Sequence, residues 1–566
     1  MPHRSKEAAG RSSVDGLPAR SGAGAPAGRP RKHVWITLSG GDVAGRPDHR
    51  RTQVKALALS LFLVATAAPH LTIAQTQGGN KDRPGMPQAI VADGEGYAGA
   101  YRASRTYTPP TDSAVLAKLD AWRDRKFGFF VHWGPYSQWG IDASWPMSPV
   151  KKSWNVVSGV RSNEDRDAFR KEYVKLPLTF NPVKFDPDRW AQIAADAGTR
   201  YFVFTTKHHD GFSMWDTKTT DYRITAPNVP YHANPNADIV KVLFDAFRKK
   251  SFMIGAYFSK PDWHTPTFWV PGQPVLTRHT TYDVKAHPEL WARFKAFTHA
   301  QIDELVSGYG PVDILWLDGG WVRPDAAENE DIDMPAIAAN ARSKQPGLLV
   351  VDRTVGHGYE DYLTPEGTAS MPQEYTTDIW EACTPLGQQS WGFNPDDTYR
   401  PVSEIVGYLV KATARNGALL LNVGPDGNGE IPPAAVERLH GIGAWLKVNG
   451  EAIYATRPLA PYERGNLFFT QKRGGERYAI WLSAKSNWES TPKKIRAKDA
   501  ATDSTLPATL TIPADVAAGR GKVALLGSRQ SLKVTKGAAG ELVVAIPGSL
   551  RKKLPGEHAW TFKISR

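Results

Sequence analysis

Between about residues 115 and 455, short apolar runs alternate with longer stretches whose apolar residues recur near i, i+3 and i+4, so strands and helices are expected in turn. The runs KFGFFVHW (126–133), YFVFTTK (201–207), FMIGAYFS (252–259), DILWLDG (313–319), LLVVDR (348–353), TTDIWEA (376–382) and ALLLNVG (418–424) read as strands. PDRWAQIAADAG, ADIVKVLFDAFRKK, ELWARFKAFTHAQIDELVSGYG and VSEIVGYLVKATARNG read as helices between them. Seven or eight βα units result. This predicts an α/β fold, a TIM-like (β/α)7–8 barrel spanning 113–456. After Tyr454 the texture changes to short β-prone segments (LFFTQK, RYAIWLSA, KVALLG, LKVTK, ELVVAI, AWTFKIS) separated by Gly, Pro and Ser turns. They predict a C-terminal β-sandwich over 457–566.

Polar and ring-bearing residues gather where the predicted strands end: His132, His208 with His209, Tyr257, Asp318, Arg353, Trp380 with Glu381, and Asn422. In a β/α barrel the C-terminal strand ends converge, so these distant residues are expected to face one pocket.

Composition adjusts this picture at the N-terminus. The net charge of +13 suggests a nucleic-acid binder until it is located: the first 55 residues hold 11 Lys/Arg against 4 Asp/Glu and supply +7. The remainder carries +6 (59 basic against 53 acidic) without long basic runs, which excludes nucleic acid as the expected partner. Residues 1–53 are rich in Gly, Ala, Ser, Pro and Arg, and read as a disordered basic extension, with the true start of translation expected near Val54. Residues 54–74 read as a signal peptide cleaved after Ala74, followed by a linker at 75–112. The strongly apolar run Ala56–Ala68 is shorter than the ~20 residues that span a bilayer, so export to a periplasmic or extracellular location is expected, with no stable membrane insertion. A single cysteine, Cys383, excludes an intrachain disulfide.

Asp318 in ILWLDGGW is a carboxylate at the tip of an apolar strand, followed by two glycines. That setting suits a nucleophile, and equally an Asp that satisfies the amides of the following turn. Glu366 in YLTPEGT resembles an exposed turn glutamate when taken alone. Paired with Asp318 at ~5–5.5 Å, it would complete the two carboxylates of a retaining glycosidase. The run TTKHHDGFSMW sets two adjacent histidines after a strand, and both can reach one ligand only if the strand ends between them and the backbone turns. Three readings stay open: metal ligation with His132 as a third nitrogen, neutral imidazoles bonding sugar hydroxyls, and capping of local backbone.

From Lys126 to Pro458 the chain resembles the family 29 glycoside hydrolases, the α-L-fucosidases. KFGFFVHWG, TTKHHDGF, GAYFS with PDW, DILWLDGGW, TPE, IWEAC, SWGFN, GALLLNVGPDGNGEIP and WLKVNGEAIYATRP carry the resemblance. It implies a barrel followed by a β-sandwich, hydrolysis of terminal α-L-fucose from a fucosylated oligosaccharide or glycoconjugate with retention, and no cofactor or metal. It further implies Asp318 as nucleophile and Glu366 as general acid/base, with His132, His208, His209, Tyr257, Trp316, Arg353 and Trp145 as substrate-binding residues. The residue before that tryptophan is often Glu in the family; here it is Ser144.

Overall fold

The computed structural model describes residues 108–149, 163–324, 327–353, 359–367, 370–487 and 506–566. The expected N-terminal extension and signal segment, with all but the end of the 75–112 linker, lie outside the described residues. Among those described, no helix is long and apolar enough to cross a membrane.

Seven parallel strands form one curled sheet: β1 (Phe127–Val131), β2 (Tyr201–Lys207), β3 (Met253–Ser259), β4 (Ile314–Asp318), β5 (Leu349–Val351), β6 (Trp380–Pro385) and β7 (Gly417–Val423), in the order β5-β4-β3-β2-β1-β7-β6. Strand side chains alternate between two apolar clusters, as a period of two requires. Phe130, Tyr201, Val203, Tyr257, Ile314, Trp316, Leu349, Cys383 and Leu420 share the inner cluster. Phe129, Phe202, Phe204, Phe258, Leu315, Leu317, Val350, Leu419 and Leu421 belong to the outer one, with residues of the helices. This inside-outside division is that of a filled α/β barrel.

Between β5 and β6 the sheet is spanned by an irregular segment. Asp361 N–H donates to Val350 O (2.9 Å), and Asp361 Oδ2 accepts from the Val350 amide (2.6 Å). Further along, Leu363 and Glu366 form isolated parallel bridges to Trp380 and Cys383. Residues 361–367 thus stand where an eighth strand would. The strand expected at 376–382 lies instead at Trp380–Pro385, because Asn416 Nδ2 holds the carbonyls of Thr377 and Asp378 (both 3.1 Å) out of the ladder.

Helices α1 (Ser113–Arg125), α2 (Asn163–Tyr173), α3 (Pro187–Asp196), α4 (Ile239–Lys249), α5 (Pro288–Gly308), α6 (Met334–Lys344), α7 (Val402–Ala414) and α8 (Pro433–Asn449) accompany the sheet. In α1 the Asp112 carboxylate caps the first turn, and Val115, Leu119 and Trp122, spaced i, i+4, i+7, join the inner cluster. Trp122 stacks on Tyr362 (4.1 Å between centroids) and meets the ring of Tyr201, the first residue of β2, edge-on (6.0 Å).

The C-terminal part has two antiparallel sheets. One is ordered β12-β15-β10-β9-β8, from β8 (Thr456–Arg464), β9 (Leu467–Lys472), β10 (Arg477–Leu482), β12 (Lys522–Leu525) and β15 (Ala559–Ser565). The other is β11-β14-β13, from β11 (Thr509–Ile512), β13 (Lys533–Lys536) and β14 (Leu542–Ala545). Phe469, Trp560 and Phe562 from the first share an apolar cluster with Leu510, Ile512 and Val544 from the second. Helix α7 is buried along nearly its whole length, against β7 on one side and β8 and β9 on another. Its Gly407 lets it approach the chain at Ser486, since a Cβ there would lie 1.9 Å from the Ser486 carbonyl oxygen. Gly407→Ala is therefore expected to cost about 1–3 kcal/mol by overpacking, read as a lower urea midpoint at unchanged m-value.

Candidate active site

The β4 alternation that sends Leu315 and Leu317 outward sends Trp316 and Asp318 inward. Gly319, at φ +86°, then turns the chain sharply against Pro261, in a conformation that disfavours any side chain. Asp318 Oδ2 accepts from Tyr257 Oη (2.7 Å), and Oδ1 accepts from Arg353 Nε (2.9 Å). Burial pushes the Asp318 carboxyl up, but the Arg353 charge, His209, the Tyr257 hydroxyl and the Gly319 amide outweigh it and hold it at about 2. It is ionised at neutral pH. Its contribution to stability is fully present above the unfolded value of ~3.9 and is lost as pH falls through about 2.

Arg353 leaves β5 at φ +54°, a left-handed conformation that is costly for a side chain of this size. The turn brings its guanidinium over the Trp316 ring (4.5 Å to the centroid) and between two carboxylates. While Nε holds Asp318, Nη2 donates to Glu366 Oε2 in a short contact. The Glu366 side chain is 34% exposed against 15% for Asp318, so it faces the mouth. Burial and then Asp318 raise the Glu366 carboxyl above the ordinary glutamate range, with Arg353 opposing. Two neighbouring carboxylates thus have proton affinities driven apart.

The strand ends after Lys207, and Gly211 N–H returns to His208 O (3.1 Å), which is the turn that both histidines need to face one ligand. Their ring centroids lie 4.2 Å apart; His132 lies 5.5 Å from His208, and Trp145 lies 4.9 Å from His209. His132 Nδ1 meets Asn422 Oδ1 (2.7 Å), His208 Nδ1 meets Ser144 Oγ (2.5 Å) and His209 Nδ1 meets Ser259 Oγ (2.7 Å). Burial lowers His132 and His209 to about 4 and His208 further, so all three are neutral at neutral pH. His208, His209 and Asp318 offer ligand atoms within 4.8 Å of one another, so among the described residues the third member of a candidate metal triad is Asp318, where sequence reading placed His132.

All nine expected site residues are brought together. The Trp316 indole N–H donates to Glu381 Oε1 (3.0 Å), Arg353 lies over its ring, and the Tyr257 ring lies 5.4 Å away. Sequence reading placed Glu381 among the strand-end residues without a role, and missed Trp391 and Asp142. Glu381, buried and pushed up to about 7 by burial, also accepts from Tyr201 Oη (2.7 Å); its signal was an inward position on a strand otherwise apolar. Trp391, half-buried and 5.1 Å from His132, had no signal beyond its place in SWGFN. Asp142, pushed up to about 6 by burial, accepts from Ser390 Oγ (2.9 Å) and Trp391 N (2.7 Å), and so ties the loop after β1 to the loop after β6.

A barrel lined at its strand ends by two coupled carboxylates, an arginine and neutral imidazoles is the site of a glycoside hydrolase. The α-L-fucosidase family model matches residues 97–451. Tissue α-L-fucosidase of Bos taurus is 31% identical over 475 residues, covering 81% of this chain and 91% of that protein. The human tissue α-L-fucosidase is 29% identical over 486 residues, with 81% and 92% covered. Among solved structures, α-L-fucosidase isoenzyme 1 of Paenibacillus thiaminolyticus superposes with a TM-score of 0.63 at 26% identity, covering 80% of this chain and 99% of that one. The Thermotoga maritima α-fucosidase, solved in complex with a mechanism-based inhibitor, has a TM-score of 0.61 at 26% identity, with 81% and 100% covered. The chain belongs to the α-L-fucosidase family of glycoside hydrolases.

Replacing Arg353 with Met removes the charge that outweighs burial at Asp318. The acid limb of kcat/KM on an aryl α-L-fucoside is expected to move up by roughly 1–3 pH units. An acid limb that stays in place would show that another group holds Asp318 ionised.

Proposed function

We propose that the chain is an exo-acting, retaining α-L-fucosidase that removes terminal α-L-fucose from glycans by double displacement. The observation carrying this reading is the Arg353 guanidinium, which engages Asp318 and Glu366 at once. Its fork keeps the two carboxyl groups close, as the ~5–5.5 Å spacing of a retaining pair demands, and their proton affinities differ in the sense the two roles need.

Asp318, ionised, attacks the anomeric carbon while Glu366 delivers its proton to the departing glycosidic oxygen. The C–O bond to the aglycone breaks as the Asp318–fucosyl ester forms. Glu366, now a carboxylate, takes a proton from water, whose oxygen displaces Asp318 and restores both groups. His132, His208 and His209 meet sugar hydroxyls, and Tyr257 orients Asp318. The methyl group of fucose needs an apolar wall, and Trp391, packed against the inner cluster and beside His132, suits it better than Trp316. The Thermotoga relative's complex with a mechanism-based inhibitor accords with covalent chemistry. The same reading assigns 113–456 to the catalytic barrel, 457–566 to a β-sandwich, and residues 54–74 to export.

Asp318→Gly is expected to abolish turnover of p-nitrophenyl α-L-fucoside and to recover part of it in azide, releasing β-fucosyl azide; undiminished turnover would overturn the assignment. Glu366→Ala is expected to lose ~10²–10⁴-fold on a fucoside with a poor leaving group and far less on an activated aryl fucoside. Equal losses on both would remove Glu366 from the acid role. A second reading, metal-assisted hydrolysis, draws on the His208, His209 and Asp318 cluster and requires that a chelator abolish activity.

A further inference from the structure

Each of the three pocket histidines has its Nδ1 pinned by a different partner, and those partners impose different protons. Asn422 Nδ2 donates to Trp391 O (2.6 Å), which turns Oδ1, an acceptor only, toward His132. His132 must then carry its proton on Nδ1 and leave Nε2 bare. Ser259 spends its single proton on Pro261 O (2.6 Å), so its oxygen accepts from His209 Nδ1. His209 Nε2 is bare as well; it lies 3.8 Å from Asp318 Oδ2, buried and without a hydrogen-bond partner.

Ser144 is the opposite case. It precedes the short 3-10 turn Trp145–Met147, makes no side-chain cap there, and is buried with its neighbour Ala143 in a left-handed conformation (φ +48°). Among the described residues the only hydrogen-bond partner of its hydroxyl is His208 Nδ1. If His208 donated, a buried hydroxyl proton would be left without an acceptor, a loss that buried polar groups rarely sustain. The hydroxyl therefore donates, Nδ1 accepts, and His208 carries its proton on Nε2.

We propose that Ser144 is a positioning residue that sets His208 in the opposite tautomer to His132 and His209, so that the pocket presents one imidazole donor beside two imidazole acceptors. The ligand class this selects is a sugar with two hydroxyls that donate to His132 and His209 and one that accepts from His208. This inference rests on the reading of the pocket as the fucosyl site, and it deepens that reading by naming the polarity each imidazole offers.

Neutron diffraction from the deuterated full chain, free of ligand, reads the tautomers without any turnover. Deuterium is expected on Nδ1 of His132 and His209 and on Nε2 of His208; deuterium on His208 Nδ1 would overturn the proposal. Ser144→Ala is expected to raise KM for an aryl α-L-fucoside about two- to tenfold with kcat nearly retained, the effect of one hydrogen bond in ground-state binding. Ser144→Asp, whose carboxylate can only accept, forces the proton to Nδ1 and is expected to lower kcat/KM further than Ser144→Ala. A KM within twofold of wild type in Ser144→Ala, or a smaller loss in Ser144→Asp, would refute the positioning role. Failure of the fucosidase reading has a separate signature: wild-type protein that leaves the fucoside intact, whatever its tautomers.

Discussion

One guanidinium holds two carboxylates that would otherwise repel each other, and the site is organised around that constraint. Arg353 could not serve both from an ordinary strand conformation; its left-handed backbone swings the side chain out of the ladder and lays it on Trp316. Trp316 is fixed in turn through its N–H to Glu381, which Tyr201 also bonds. The support runs from β6 through β4 to the arginine, so the charge sits at the end of a packed column and not on a free stem. Removing one member of a buried ion pair typically costs about 3–5 kcal/mol, because the remaining charge has lost both water and partner. Here the remaining charge would be Asp318, held inside the strand end.

The barrel supplies the geometry because its strands alternate strictly, so one residue's slip would send Asp318 toward the helices. Glu366 reaches the same point by a different device. The segment 361–367 pairs with β5 at its start and with β6 at Glu366, where Cys383 is its backbone neighbour. Cys383 Sγ also lies 3.6 Å from Arg353 Nη1. The irregular closure therefore places the second carboxylate beside the arginine that holds the first.

This difference explains what the sequence could and could not disclose. Asp318 was legible as the carboxylate that ends an apolar strand before a glycine pair, although ILWL is apolar at every position and so does not say which way it points. The two histidines were legible as a condition, that the strand stop and the backbone turn, and the turn at His208–Gly211 meets it. Glu366 was not legible from residues, since YLTPEGT has no periodicity and its bridges depend on β6, whose start is set by the distant Asn416 side chain. Only resemblance pointed to it. Trp316 too was pointed to by resemblance, and its edge bonds Glu381 while Arg353 lies over its ring.

The two loops at the mouth are coupled through one carboxyl group. Asp142 receives the Trp391 amide, the Trp391 carbonyl receives Asn422, and Asn422 fixes His132. Two residues along the same loop, Ser144 fixes His208. His132 is thus oriented by a chain of contacts that passes through Asp142, and His208 by a second residue of the same loop. Burial and the nearby Glu366 raise the Asp142 carboxyl to about 6, so its cost to the fold is absent below ~3.9, grows as pH rises toward about 6, and is full above it. The protein accepts that cost at neutral pH because an ionised acceptor binds the Ser390 and Trp391 donors more strongly than a neutral one. The loop that orients these imidazoles thus carries a carboxyl group that also feels the charge of Glu366.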